Sequence, residues 1–223
     1  MDGSVLAGDG TGSVNVFDLI QQGWYATYPL MLFSTVLFGV VIERLFVLRR
    51  LAVANERVTS EVCDRLQKGD VDAASSLIAA QNNSPASRIY AALLPLIRTT
   101  GVEQIVEFGE RRRLAESRTL RQNIWMLGTI CASAPFIGLL GTVVGIIKSF
   151  HQMAVAGAGG FSVVAAGISE ALVATALGLG VGILAVIFFN YLQVRVGSLE
   201  TTLRVGLGRV LEAAQIGGVH GAR

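Results

Sequence analysis

Charged side chains vanish from three long stretches of the chain, and apolar ones crowd into them. Trp24 to Ile42 runs 19 residues without a charge, Gln122 to Ile147 runs 26, and Ala171 to Val194 runs 24. About 20 apolar residues cross the hydrocarbon layer of a bilayer, so each stretch suffices by itself. The third can begin earlier, because residues 149–169 are also uncharged and Glu170 alone interrupts. This pattern predicts membrane spans at 24–42, 124–147 and 165–190. Between the first two, apolar positions recur at helical spacing: Val58, Val62 and Leu66, then Ile89, Leu93, Leu96 and Ile97. Lys68-Gly69-Asp70 breaks the first pattern, and Asn82-Asn83-Ser84-Pro85 separates the next segment. From Val102 to Gln122 the chain carries no proline. No strand-like alternation and no internal repeat stand out, so the expected fold is an all-α membrane protein.

Composition agrees. Of 223 residues, 52% are hydrophobic and 15% charged, with a mean hydropathy of +0.58. Soluble domains carry about 25% charged residues, and disorder needs the opposite balance of charge and apolarity. Cys63 and Cys131 are too few for a disulfide framework and lie outside any metal-binding spacing. A net charge of +2 gives nucleic acid no footprint. His151 and His220 have no Ser, Cys or Asp constellation around them, and no phosphate-binding loop is present. No enzyme activity, cofactor or metal is expected.

The basic residues set an orientation. None of the 18 Lys and Arg falls in residues 1–23, whereas 13 lie in 43–123 and four follow residue 190. By the positive-inside rule the connector and tail are cytoplasmic. The expected layout is a periplasmic segment 1–23, a span 24–42, a cytoplasmic helical region 43–123 and a span 124–147. A periplasmic loop 148–164, a span 165–190 and a cytoplasmic tail 191–223 follow. Glu43-Arg44 and Arg49-Arg50 mark the inner edge of the first span, and Trp24, Tyr25 and Tyr28 an outer aromatic anchor. Residues 1–23 carry Asp2, Asp9 and Asp18 and no basic residue, the reverse of a signal peptide. Gly8, Gly10 and Gly12 fit a flexible tail. The run Arg111, Arg112, Arg113, Arg118 and Arg121 is either an anionic-lipid contact or a solvated helix face that fixes topology; the second is the plainer account.

The second and third spans carry small residues at helical spacing. Gly138, Gly141, Thr142 and Gly145 share one face of the second; Gly167, Ala171, Ala174, Thr175, Gly178 and Gly182 recur along the third. Such faces let helix backbones approach closely, where packing drives association. Three spans give few neighbours, so a homo-oligomer is expected, with the glycine faces against adjacent copies. Glu170 is the only acid between residues 117 and 199. It is either a polar group lining an ion pathway or an interfacial acid paired with Lys148 or facing headgroups. Thr142 and Thr175 offer hydroxyls to the same pathway, or simply bond their own helix carbonyls.

These residues carry a resemblance. Gly138-Leu-Leu-Gly-Thr-Val-Val-Gly-Ile-Ile147, followed by Gly167-Ile-Ser-Glu-Ala-Leu-Val-Ala-Thr-Ala-Leu-Gly-Leu179, resembles the signature of the MotA/TolQ/ExbB proton-channel family. Ile42-Glu-Arg-Leu45 and Asn190-Tyr191 match as well. The three-span layout is closest to ExbB and TolQ, since MotA proteins are longer with four spans. One position departs from the pattern: Leu184 stands where many members have proline, which implies a straighter third helix.

The resemblance implies five copies in the bacterial inner membrane around two helices of an ExbD- or TolR-type single-span partner. The partner brings the essential aspartate, and a TonB- or TolA-type transducer is a further partner. It also implies that Thr142, Thr175 and Glu170 line the proton path, while Gly138, Gly141, Gly145, Gly178 and Gly182 pack helices. The chain is then a motor subunit energising outer-membrane import or envelope maintenance; a TolQ-like gliding-motility role or a non-conducting scaffold are the alternatives. A self-sufficient channel usually needs more spans or an inverted repeat. The topology has a direct check. An impermeant thiol reagent applied to intact spheroplasts is expected to label neither Cys63 nor Cys131; strong labelling of Cys63 reverses the orientation.

Overall fold

A computed structural model describes residues 24–81, 84–156 and 161–219, without the side chains of 24, 25, 156 and 161–163. The expectations for residues 1–23, the Trp24 and Tyr25 side chains, Asn82, Asn83 and His220 lie outside it. Six helices account for the described chain: α1 (Trp24–Gln67), α2 (Val71–Ala80), α3 (Pro85–Ile97), α4 (Val102–Leu120), α5 (Ile124–Ala156) and α6 (Phe161–Ile216). No strand occurs among the described residues. Three helices are long and apolar enough to cross a membrane, within Ala26–Gln67, Ile124–Val155 and Val164–Ile216. The fold is all-α, as the hydrophobic pattern predicts.

The breaks fall where the local chemistry puts them. Gly69 adopts a φ of +76°, which a side chain resists, and closes α1. Asp70 then caps α2 by accepting from the Ala73 amide at 2.8 Å. Ser84 caps α3 by accepting from the Ser87 amide at 3.1 Å, and Pro85 occupies the first turn, where its missing N–H costs nothing. Asn123, with a φ of +64°, separates α4 from α5. No such signal occurs at residues 42 or 190, so α1 and α6 do not end where charge returns. At 44 and 56 residues they far exceed the about 20 that cross a bilayer, and both run on as long extensions. Helix α6 passes unbroken through Leu184, the position without proline.

Two compact units result. The first holds the described residues up to Val36 together with Thr129–Ala185; the second holds Leu37–Gly128 and Val186 onward. The second unit packs α2 on α3 and α3 on α4, around a core to which α1 gives Val58, Val62 and Leu66 and α3 gives Ile89, Leu93 and Ile97. Those are the residues whose periodicity marked helices; Leu96 of the same set is half-buried. From α6 come Leu192, Val196, Leu203 and Val210.

Several buried polar groups of this unit are tied down. Thr59 has one hydroxyl proton and donates it to the Asn55 carbonyl at 2.7 Å. The 2.8 Å contact between Thr59 and Tyr90 hydroxyls therefore has Tyr90 as its donor. Burial pushes the Tyr90 phenol up to about 12. Gly206 of α6 makes the room: a methyl there would stand 2.6 Å from the Tyr90 oxygen. Arg121 holds Glu200 through both carboxylate oxygens at 2.9 Å, and Ser117 donates to the same group. The Arg121 hydrogen bond is the main cause that keeps the Glu200 carboxyl below its usual range. Arg44 is buried, donates to Glu43 at 2.9 Å, and keeps its Nε unpartnered among the described residues.

This chain of hydroxyls orders two substitutions. Tyr90→Phe leaves the Thr59 donor satisfied and should cost about 1 kcal/mol. Thr59→Val strands the buried Tyr90 hydroxyl without an acceptor and should cost up to about 3 kcal/mol. Chemical unfolding of the two variants in detergent tests that order; equal losses contradict the assigned donor.

Candidate functional site

The first unit contains the small-residue faces of α5 and α6, and their register can be followed glycine by glycine. A methyl on Gly145 would stand 2.9 Å from the Ala171 Cβ, and one on Gly141 2.9 Å from the Ala174 Cβ. Gly138 lies against Ala174, Thr175 and Gly178; a methyl on Gly178 would stand 2.7 Å from the Ala134 carbonyl oxygen. Gly182 faces Pro135, its methyl position 3.1 Å from the proline Cγ. Each step of three or four residues along α5 is matched by a step of three or four back along α6. The two helices run antiparallel with their backbones in near contact.

This changes one expectation. The small-residue spacing predicts contacts between copies, and within the chain these faces pack against each other. They close the α5–α6 pair: a larger residue at Gly138 or Gly178 would meet backbone on the other helix, and one at Gly141 or Gly145 would meet an alanine methyl. Gly141 also meets α1, with Ala26 Cβ 2.7 Å from its methyl position, so three helices converge there. Gly141→Leu therefore disturbs the packing within the chain itself. The residues outside this seam point outward: Phe136, Leu139, Leu140, Val143 and Ile147 on α5, and Leu172 and Ile183 on α6, are exposed in the single chain.

The register also levels the candidate pathway residues. In the antiparallel register Thr142 and Thr175 lie about two residues' rise, about 3 Å, apart along the backbone, and their hydroxyls come to one level by bonding the adjacent carbonyls of Leu139 and Gly138. Thr175 donates its hydroxyl across the seam to the Gly138 carbonyl at 2.9 Å. Thr142 donates into its own helix, to the Leu139 carbonyl at 2.7 Å. Both protons are thus engaged, and both oxygens keep lone pairs that accept. Glu170 precedes Ala171, the partner of Gly145, and stands about one turn nearer the α5–α6 connection than the threonines. It is half-buried. The structure therefore brings the two threonines to one level and sets the glutamate apart from them. No group of three or more His, Cys, Asp or Glu that could hold a metal occurs among the described residues.

Several polar contacts had no periodic signal in the sequence. The Arg121–Glu200 pair joins residues 79 apart, and Thr175 bonds Gly138 across 37. The basic run of α4 is largely engaged: Arg111 with Glu107, Arg113 with Glu110, Arg121 with Glu200, and Arg112 over the Phe108 ring at 5.9 Å. That favours the solvated, topology-fixing account of the run over a lipid contact.

Residues 81–204, which include both glycine faces and both threonines, match the model of the MotA/TolQ/ExbB proton channel family. The chain belongs to this family. Among its relatives, the putative biopolymer transport protein ExbB-like 3 of Synechocystis is 31% identical over 76% of this chain and 81% of its own length. The biopolymer transport protein ExbB of Salmonella typhimurium is 45% identical over 42% of this chain, and the match spans only 38% of that protein. The Tol-Pal system protein TolQ of Haemophilus influenzae is 41% identical over 38% of this chain and 37% of its own. For a MotA/TolQ/ExbB member the seam has a definite sensitivity. Gly178→Ala places a methyl against backbone and should cost about 1–3 kcal/mol. Gly180→Ala meets nothing within 4 Å and should be neutral or gain up to about 1 kcal/mol from helix propensity. Thermal unfolding in detergent compares them, and equal stability of the two variants refutes the tight seam.

Proposed function

We propose that this chain is the ring subunit of a proton-motive-force-driven motor in the bacterial inner membrane. Five copies surround two single-span helices of an ExbD- or TolR-type partner, with the N-terminus outside and the C-terminus inside. The motor energises an envelope process, either import across the outer membrane or envelope maintenance. One observation carries the proposal: two threonine hydroxyls stand at one depth on a glycine-packed helix pair, inside a family described as proton channels.

The chemistry follows from what this chain has and lacks. Between residues 117 and 199 it offers a single acid, Glu170, set about a turn away from the threonines. Proton transfer at the threonine level then relies on the partner's aspartate. Hydroxyl oxygens whose protons already bond to carbonyls act as acceptors, toward water or toward the protonated aspartic acid. Each protonation removes a charge from a low-dielectric site and so changes which ring position the partner helix prefers. Relative rotation of partner and ring is the mechanical consequence.

The test separates motor from scaffold. Thr142→Ala with Thr175→Ala should assemble with the partner yet lose most proton flux in liposomes, since about 1.4 kcal/mol on the barrier slows transfer tenfold. Thr175→Ser keeps the hydroxyl and the bond to Gly138, so it should retain flux; this distinguishes a pathway role from a packing defect. Glu170→Gln should be milder if the glutamate only tunes the field, and as severe if it exchanges protons. Full flux in the double threonine variant favours the scaffold.

A further inference from the structure

Below the apolar part of α1 and α6, the second unit holds a cavity of about 390 Å³ that the motor chemistry does not use. Leu45, Leu48, Arg49 and Ala52 line it from α1, and Tyr191, Arg195 and Leu199 line it from α6. The α1 positions follow the i, i+3, i+4, i+7 rule of one helix face, and those of α6 follow it at i, i+4, i+8. Leucines form its body and two guanidinium groups its polar rim. None of the lining residues is an acid. Neither Arg49 nor Arg195 has a carboxylate partner among the described residues, unlike Arg57, Arg88, Arg113 or Arg121. Arg195 Nε donates to the Tyr191 hydroxyl at 3.0 Å and its guanidinium lies over the Tyr191 ring at 5.4 Å, which holds the side chain in place. Arg49 also reaches the Tyr191 hydroxyl, and the N–H groups of both arginines that Tyr191 does not take are left for an anion.

Depth narrows the class of anion. Arg49 lies seven residues past Ile42, about 10 Å along the helix, and Arg195 five residues past residue 190, about 8 Å. A headgroup layer about 5–8 Å thick begins where the hydrocarbon ends. These depths put the Arg195 backbone at the edge of the headgroup layer and the Arg49 backbone just past it. Both side chains tilt toward the helix N-terminus, the membrane side, and are long enough to bring their guanidinium groups to headgroup level, while Leu45 lies on the hydrocarbon side of Arg49. Exposed Ile42, Phe46, Ile187 and Val194 continue the apolar surface beside the cavity. An amphiphile with an anionic phosphodiester and an acyl chain matches this lining in both charge and polarity.

We infer that this cavity is a binding site for an anionic phospholipid, its phosphate held between Arg49 and Arg195 and the start of an acyl chain lying along Leu45, Leu48 and Leu199. The depth estimate rests on the membrane placement proposed above. Bidentate, charge-assisted bonds from two guanidinium groups favour a phosphodiester with net negative charge over a zwitterion that carries its own cation. The lipid would tie the extensions of α1 and α6 together at the membrane surface.

Native mass spectrometry of the full-length chain in detergent, titrated with phosphatidylglycerol or with phosphatidylcholine of the same acyl chains, reads this directly. Phosphatidylglycerol should bind in preference, and R49Q/R195Q should weaken it about tenfold or more through loss of the charge-assisted contacts. Ala52→Trp, which fills the cavity and leaves both arginines, should weaken it too, and Arg118→Gln should not. Equal binding of the two lipids, or retention in both R49Q/R195Q and Ala52→Trp, overturns the proposal. Glycerol 3-phosphate displacing the lipid at equal concentration would make this a free-anion site, and lipid lost whenever copies associate would make the groove an interface between copies; either result overturns it. The measurement does not depend on orientation in a membrane, so an error in topology, which Cys63 labelling exposes, is distinguishable from an empty cavity.

Discussion

Backbone-to-backbone contact between α5 and α6 is the constraint on which the apolar unit depends. In an apolar solvent, leucines gain nothing by leaving lipid for protein, so a helix pair must find cohesion elsewhere. Here it comes from proximity: Gly138 against Gly178, Gly141 against Ala174 and Gly145 against Ala171. The same proximity lets the Thr175 hydroxyl reach the Gly138 carbonyl, a bond that a bulkier seam would not permit. It also fixes the relative depth of Thr142, Thr175 and Glu170, because a slip by a residue would carry the Ala171 and Ala174 methyls off the Gly145 and Gly141 positions that make room for them. Packing and candidate chemistry are thus set by one feature.

Much of this was legible in the sequence, and the reasons are physical. Uncharged runs announce spans because burying a charge in hydrocarbon costs several kcal/mol, so their absence is a strong signal. Ser84-Pro85 and Lys68-Gly69-Asp70 announce helix boundaries because capping and positive φ act within a few residues. Small-residue spacing marked the right faces of α5 and α6. What it could not assign was the partner of each face. A glycine stripe records that something comes close, and nothing in its spacing distinguishes the next helix of the same chain from a neighbouring copy. Within the chain, α1, α5 and α6 already occupy these stripes.

Interactions that join distant parts of the sequence were invisible for a related reason. Arg121 with Glu200, and Tyr90 with Thr59 beneath Gly206, depend on how helices are set side by side, and single arginines or tyrosines carry no periodicity. Gly206 is instructive, since in an arginine-rich helical segment it looks like an ordinary weak helix former. Its place beside a buried phenol shows that it makes room for a side chain. Arg49 and Arg195 were equally silent: in sequence they look like the arginines of α4, and only their neighbours show that Arg111, Arg113 and Arg121 pair with carboxylates while these two meet Tyr191.

The contrast between the glycine seam and the leucine-rich second unit extends to temperature. Burial of Ile89, Leu93 and Ile97 away from water carries a large heat-capacity change, so the cohesion of that unit weakens on cooling and passes through a maximum. The seam trades lipid contacts for backbone contacts and exposes little apolar surface to water when it opens, so its heat-capacity change is small. A single chain therefore contains two kinds of cohesion with different thermal signatures. Its two units need not melt together, and one melting temperature does not describe it.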